Sequence, residues 1–204
     1  MGSSFRKFQE ITPKSRSDFR TWLSRHHQQN ESVWVVIFKA ASGKSNLSSA
    51  DVAEEALCWG WIDSVPNKLD QDRYKLLVSP RKPASAWSAL NKRRVKKLIA
   101  DGLMTPHGMK KIELAKTNGS WTKLNSSDRL QMPKELSRLL KQSKKANEFF
   151  QSIAPSSKRA ILEWINTAKT DATRQKRIKE TVRLAKIGIR ANHYVDLKKI
   201  KEPA

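Results

Sequence analysis

The apolar periodicity of this chain changes character at Pro83, and that change limits what it can fold into. Ahead of Pro83, short β-branched or alternating runs lie between two helical patterns. Beyond it, apolar residues recur only at three- and four-residue steps. The spacing predicts a first helix over 17–27, capped by Ser17, with Phe19, Trp22, Leu23 and His26 at helical intervals. Residues 32–40 (SVWVVIFKA) are apolar on both faces, as in a strand covered on both sides. After a turn over 42–46, a helix is predicted over 48–59, with Ser48 as cap, Asp51 in the first turn and Gly60 as its stop. Strands over 61–65 and 73–79 follow, joined across a turn at 66–70. Tyr74, Leu76 and Val78 give the second strand one buried face. Pro80 and Pro83 end the sheet, because neither can donate to a ladder.

Past Pro83 the expectation is wholly helical. Ser85 is placed to cap a helix on which Trp87, Leu90, Val95, Leu98 and Ile99 form an apolar stripe. Thr105-Pro106 opens a second helix, a capping hydroxyl followed by Pro in the first turn, running to about Lys116. Shorter pieces are predicted over 133–140 and 146–153. Pro155 opens a helix with Ala160, Ile161, Trp164, Ile165 and Ala168 on one face. A last helix starts at about Asp171, with Ile178, Val182, Ala185 and Ile189 inward. The fold class is therefore α+β: a small N-terminal antiparallel or mixed sheet with helices, then an all-helical C-terminal part. The expected plan is a flexible N-terminus over 1–16, an α+β domain over 17–124, a helical domain over 125–191 and a loose tail over 192–204.

Charge narrows the partners. The formal charge is +22, from 41 cations, 26 Lys and 15 Arg, against 19 carboxylates. Such a field attracts polyanions within a Debye length, roughly 8–10 Å in physiological salt. Lysine-rich solvated faces also give solubility without any partner, so the charge alone selects no function. The single cysteine, Cys58, forbids an intrachain disulfide and any cysteine-based zinc pattern. No run of 18 apolar residues exists for a transmembrane helix. The opening residues MGSSFRKFQEITPKSR lack the apolar middle region of a secretory signal, which points to the cytoplasm.

Residues 56–94 concentrate the chemistry: ALCWGWIDSVPNKLDQDRYKLLVSPRKPASAWSALNKRR. A core needs no such mixture of tryptophan, carboxylate, hydroxyl and cation, because apolar residues bury without desolvation cost. Asp63 lies two residues from Trp61 on one strand face, and Arg73 begins the next strand, so a cross-strand Asp63–Arg73 pair is expected. In a ligand-site reading, Arg73, Arg81 and Lys82 hold an anion, Trp61, Tyr74 and Trp87 wall the pocket, and Asp63 orients the ligand. Ser79 and Ser85 supply hydroxyls, with Asn91 and Arg94 one and two turns farther on. In the alternative reading Asp63 and Arg73 are a structural ion pair and the tryptophans are core. A helix N-terminus capped by Ser85 and flanked by Arg81 and Lys82 would favour phosphate through dipole and charge together. Lys169, Thr173, Arg174 and Arg177, at the start of the last helix, form a candidate second basic site or simply its wet face.

The blocks FRTWLSRHH, ESVWVVIFKAASGK, EEALCWGWIDS, DRYKLLVSPRKPASAWSALNKRRV, GLMTPHG, AKTNGSW and PSSKRAILEWINTAKTDATRQKRI resemble the bacterial YdeI-like or OmpD-associated family, also labelled bacteriocin-protection proteins. The resemblance runs roughly from Phe19 to Ile189. It implies a bacterial stress factor connected with tolerance of bacteriocins or cationic antimicrobial peptides, and it implies no reaction. A chain of charge +22 repels a cationic peptide, so a protective role would be indirect.

Catalytic signals are weak. Cys58 sits on an apolar helical stretch; His26 and His27 diverge on a helix; His107 and His193 have no recognisable companion. No HExxH, GxSxG, GxGxxG or complete phosphate loop is present, and no cofactor or metal is implied. Three functions stay open: a binding module for an anionic ligand, either a phosphorylated small molecule or nucleic acid; an enzyme with Asp63 in a Trp- and Arg-lined pocket; or an interaction protein for an acidic partner.

Overall fold

The computed structural model describes residues 8–192. The chain divides into two compact units between Lys123 and Leu124. The first unit holds one mixed sheet in the order β1-β2-β4-β3, made of β1 (Gln9–Ile11), β2 (Val33–Phe38), β3 (Trp61–Lys68) and β4 (Arg73–Pro80). Around it stand α1 (Arg16–His26), α2 (Ser49–Cys58), α3 (Ala89–Ala100) and α4 (Pro106–Thr117).

β1 pairs with β2 in parallel, Gln9 opposite Val33 and Ile11 opposite Val35. A segment expected to be loose through residue 16 thus supplies an edge strand over 9–11; residues 1–7 lie outside the described residues. Three residues are too few for an alternation pattern to register, which is why sequence reading passed over it. α1 begins at Arg16 and is capped by Ser15, not Ser17: the Ser15 hydroxyl accepts from the Asp18 amide at 3.1 Å.

Central strand β2 buries Val33, Val35 and Ile37 against Phe19, Leu23, Val52 and Ala56 of the helices and Leu76 and Val78 of β4. On its other face, Val36 is buried and the rings of Trp34 and Phe38 lie under the ammonium groups of Lys75 and Lys44. Lysine stems cover that face. β3 continues through Pro66, where a turn was expected. As an edge strand it tolerates a residue without an N–H, and its register with β4 shifts between Asp63 and Pro66.

α2 starts as predicted, in a reciprocal capping box between Ser48 and Asp51. α3 does not: its cap is Ser88, whose hydroxyl accepts from the Asn91 amide, while Ser85 lies in the preceding turn. Moving the start by three residues re-aims the stripe. Asn91, Val95 and Leu98 face inward, whereas Leu90 and Ile99 are 48% and 45% exposed. A second core of this unit joins Leu57, Cys58, Trp87, Val95, Leu98, Ile112 and Ala115.

The second unit is helical: α5 (Asn125–Asp128), α6 (Lys134–Lys141), α7 (Lys144–Ser152), α8 (Pro155–Asn166) and α9 (Asp171–Lys186). Its core gathers Leu136, Leu140, Phe150, Ile161, Leu162, Ile165, Ile178, Val182 and Ala185. Asn192, assigned to the loose tail, donates to the Ala160 carbonyl at 3.4 Å; residues 193–204, including His193, lie outside the described residues.

Candidate functional site

Register decides the fate of the expected hairpin site. Asp63 stands opposite Val78, and Arg73 stands opposite Phe38 at the other end of β4. Five strand steps, about 17 Å, separate Val78 from Arg73. The Asp63–Arg73 pair is therefore not formed. Arg73 closes the hairpin loop onto Asp70, Nη2 to Oδ2 at 2.6 Å, and its hydrogen bond holds the Asp70 carboxyl below the usual range. Trp61 and Tyr74 pack with the sheet core, and the Ser79 hydroxyl meets that of Ser32 at 2.8 Å. Lys82 is exposed. Arg94 donates to the Asn91 side-chain carbonyl at 3.2 Å.

Arg81 and Trp87 do come together. Arg81 is only 3% exposed, its guanidinium 3.7 Å above the Trp87 ring, and Nη1 donates to the Ala86 carbonyl at 3.1 Å. Trp121 packs against Trp87 with ring centroids 5.0 Å apart. Nε and Nη2 of Arg81 are buried with no hydrogen-bond partner. Burial pushes the guanidinium down to about 10, against the opposing pull of Asp63. This is a cation built into the core wall.

A different set of residues lines a concave site. Three element ends meet there: His27 caps the C-terminus of α1, Trp59 caps that of α2, and His107 is the second residue of α4. Local chemistry holds the ends in place. The Trp61 indole N–H donates to the His27 carbonyl at 3.1 Å, which ties the end of α1 to β3. The Thr105 hydroxyl donates to the Cys58 carbonyl at 2.5 Å, which ties the start of α4 to the end of α2. Gly108 makes that approach possible, since a Cβ there would lie 2.3 Å from the Cys58 carbonyl oxygen. Gly60, at φ +76°, turns the chain between Trp59 and Trp61; a Cβ would meet the Lys111 stem at 2.7 Å.

The result is a cavity of about 350 Å³ lined by His27, Trp59, His107, Lys110, Lys111 and Leu114, with Gln28, Gln29, Asn30, Gly60 and Pro80. The His27 and His107 rings are 3.9 Å apart, centre to centre, and both lie against Trp59, at 4.9 and 6.0 Å. Nδ1 of His27 is 3.0 Å from the Ser24 carbonyl, a pure acceptor, so Nδ1 carries the proton and Nε2 is the lone-pair nitrogen when the ring is neutral. That Nε2 is buried without a partner, as is the Trp59 indole N–H. Partial burial, then His27, then Lys110 hold His107 below its ordinary value. Among the described residues no carboxylate lines this cavity. Sequence reading missed it because its groups lie at the ends of three elements, 32 and 48 positions apart, where no spacing rule connects them.

The second basic candidate is partly absorbed by packing. Thr173 is engaged by the capping Thr170, and Arg177 lies over the Trp164 ring at 5.0 Å and donates to its carbonyl. Lys169 is exposed and Arg174 half-buried. Cys58 is buried in the second core, and burial pushes its thiol up. Among the described residues no group of His, Cys, Asp or Glu is arranged to hold a metal, and no helix is long and apolar enough to cross a membrane.

Residues 129–188, the bulk of the helical unit, match the family model described as bacteriocin-protection, YdeI or OmpD-associated. The chain carries a YdeI/OmpD-associated domain. Residues 11–111 match a separate model, a domain of unknown function. The blocks from FRTWLSRHH to GLMTPHG fall in that second match, so the YdeI/OmpD-associated match covers the last block and not the cavity. No curated protein and no solved structure matches the chain.

Proposed function

We propose that this protein is a non-catalytic binder of an anionic small molecule, held in the cavity of its N-terminal unit, and that it serves tolerance of bacteriocins. One observation carries the reading: His27, His107, Lys110 and Lys111 line one concavity with no opposing carboxylate among the described residues. Four groups that are cationic or can become so, without an acid to neutralise them, favour a negative occupant. Trp59 and Leu114 add an apolar wall, and the volume suits a small molecule. It is a different site from the one expected around Trp61, Asp63, Arg73, Arg81 and Trp87, none of which lines this cavity.

Polyanions are the second reading, favoured by the charge of +22. A concavity of this size serves one less well than a continuous groove does. The enzymatic reading is weakened by the separation of Asp63 from Arg73 along β4. Since like charges repel, tolerance would come through the bound ligand and not through capture of a cationic peptide.

Titration calorimetry with phenyl phosphate and with a single-stranded oligonucleotide, across a salt series, tests the proposal. Phenyl phosphate is expected to bind, and the double variant K110A/K111A to weaken it by about tenfold or more. Oligonucleotide binding that is tighter, steeply salt-dependent and indifferent to K110A/K111A would favour the polyanion reading instead.

A further inference from the structure

We infer that the ligand of this cavity is a phosphate monoester in its dianionic form, bound with uptake of a proton by the facing His27–His107 pair. The inference rests on the anion-binding reading above and adds the charge and chemical class of the ligand.

Geometry supplies the argument. His27 is locked by its Nδ1–H bond to the Ser24 carbonyl, so Nε2 becomes a donor only when the ring is protonated. That nitrogen is buried without a hydrogen-bond partner, on a side chain that lines the cavity. A proton on it places a cation 3.9 Å, ring to ring, from His107, beside Lys110 and Lys111. These four are the titratable or charged side chains that line the cavity from α1, α4 and the intervening turns; Gln28, Gln29 and Asn30 are neutral. Two imidazolium rings in contact repel one another, and the lysines add to that cost. A singly charged ligand cancels too little of it. A doubly charged tetrahedral group meets both rings at once and leaves acceptors for the lysines.

Trp59, Pro80 and Leu114 add apolar surface to the cavity, beside the neutral polar Gln28, Gln29 and Asn30. Inorganic phosphate would leave that surface uncovered, whereas an ester of a small apolar or ring-bearing alcohol uses it. Phosphate monoesters pass to the dianion near pH 6, so the dianion is present at neutral pH, where the pair takes up a proton to meet it. Affinity falls in acid, where the ester takes up its own proton, and in base, where a proton for the pair becomes scarce.

Phenyl phosphate and phenyl sulfate have nearly the same shape and differ by one charge. Calorimetry between pH 5.5 and 8.5, in buffers of different ionisation enthalpy, measures affinity and proton uptake together. Phenyl phosphate is expected to bind about tenfold more tightly than phenyl sulfate at pH 7, with net uptake approaching about one proton at pH 7.5. His27→Asn keeps an amide donor for the Ser24 carbonyl, and His107→Gln changes an exposed residue of α4. Each variant should remove most of the uptake and bring the two ligands within about threefold, with near-ultraviolet circular dichroism unchanged. Equal affinity for the two esters without proton uptake would overturn this inference and leave the anion site standing. If neither ester binds and K110A/K111A changes nothing, the anion site falls as well.

Discussion

Replacing Arg81 with Met asks whether a buried, underpaired cation is a stabilising element or a burden on the fold. A guanidinium whose folded value drops from the ordinary arginine range to about 10 remains charged at pH 7, and the drop corresponds to about 3 kcal/mol against folding. The sign follows from linkage. A cation harder to protonate in the folded state than in the unfolded one penalises folding at every pH below about 10, and relief comes only above it. Against this stand the stack on Trp87, about 2 kcal/mol for a desolvated cation, and the hydrogen bond to Ala86, about 1–3 kcal/mol. Methionine keeps much of the length and retains about 0.3–1.5 kcal/mol of sulfur–ring contact. The terms nearly cancel, so Arg81→Met should change stability by no more than about 1 kcal/mol, measured by urea unfolding at pH 7. Arg81→Ala should cost about 2–4 kcal/mol, because it leaves a hole beside Trp87. If the methionine variant loses more than about 2 kcal/mol, the reasoning fails: the guanidinium would then have a strong partner, and Asp63→Asn in the same background would identify it.

Three further outcomes follow from the packing. Glu55, 2% exposed, accepts from Arg16 at 2.7 Å and Arg20 at 2.8 Å, so Glu55→Ala should cost about 3–5 kcal/mol in urea melts; that loss should shrink in an Arg16→Ala/Arg20→Ala background, and an equal loss in both would refute the pairing. Gly108→Ala forces a Cβ to 2.3 Å from the Cys58 carbonyl and should destabilise by about 2–3 kcal/mol while weakening ligand binding, read by thermal melts and calorimetry. Ser48→Ala should cost about 1 kcal/mol near pH 7. Burial pushes the Asp51 carboxyl up, but bonds from Ser48 and the charge of Arg16 hold it lower overall. That stability is present above the ordinary carboxylate value, near 4, and is lost as pH falls through the lower folded one. The gap between wild type and Ser48→Ala should therefore narrow in acid; a constant gap from pH 7 to 3 would contradict it.

Much of the architecture was readable along the chain because its signals are local. The Ser48/Asp51 capping box, the Thr105-Pro106 start and the Pro155 start each consist of a few adjacent residues acting on one backbone turn. The alternation of Tyr74, Leu76 and Val78 likewise needs only the pleat. Errors arose where two local candidates competed. Ser85 and Ser88 both precede the third helix with suitable chemistry, and burial of Val95 and Leu98 selected the later one.

The candidate site is another matter. Composition and pattern determined, unaided, that the chain is α+β with a helical C-terminal part, and that whatever it binds meets a strongly positive field. Whether Asp63 meets Arg73 depended on strand register, a property of two segments pairing, and register set them at opposite ends of β4. That His27, Trp59 and His107 share one wall depended on the ends of α1 and α2 meeting the start of α4, through the Thr105–Cys58 bond and the space left by Gly108. Side chains at element ends carry no periodic mark of their neighbours, so only packing in three dimensions could bring them together.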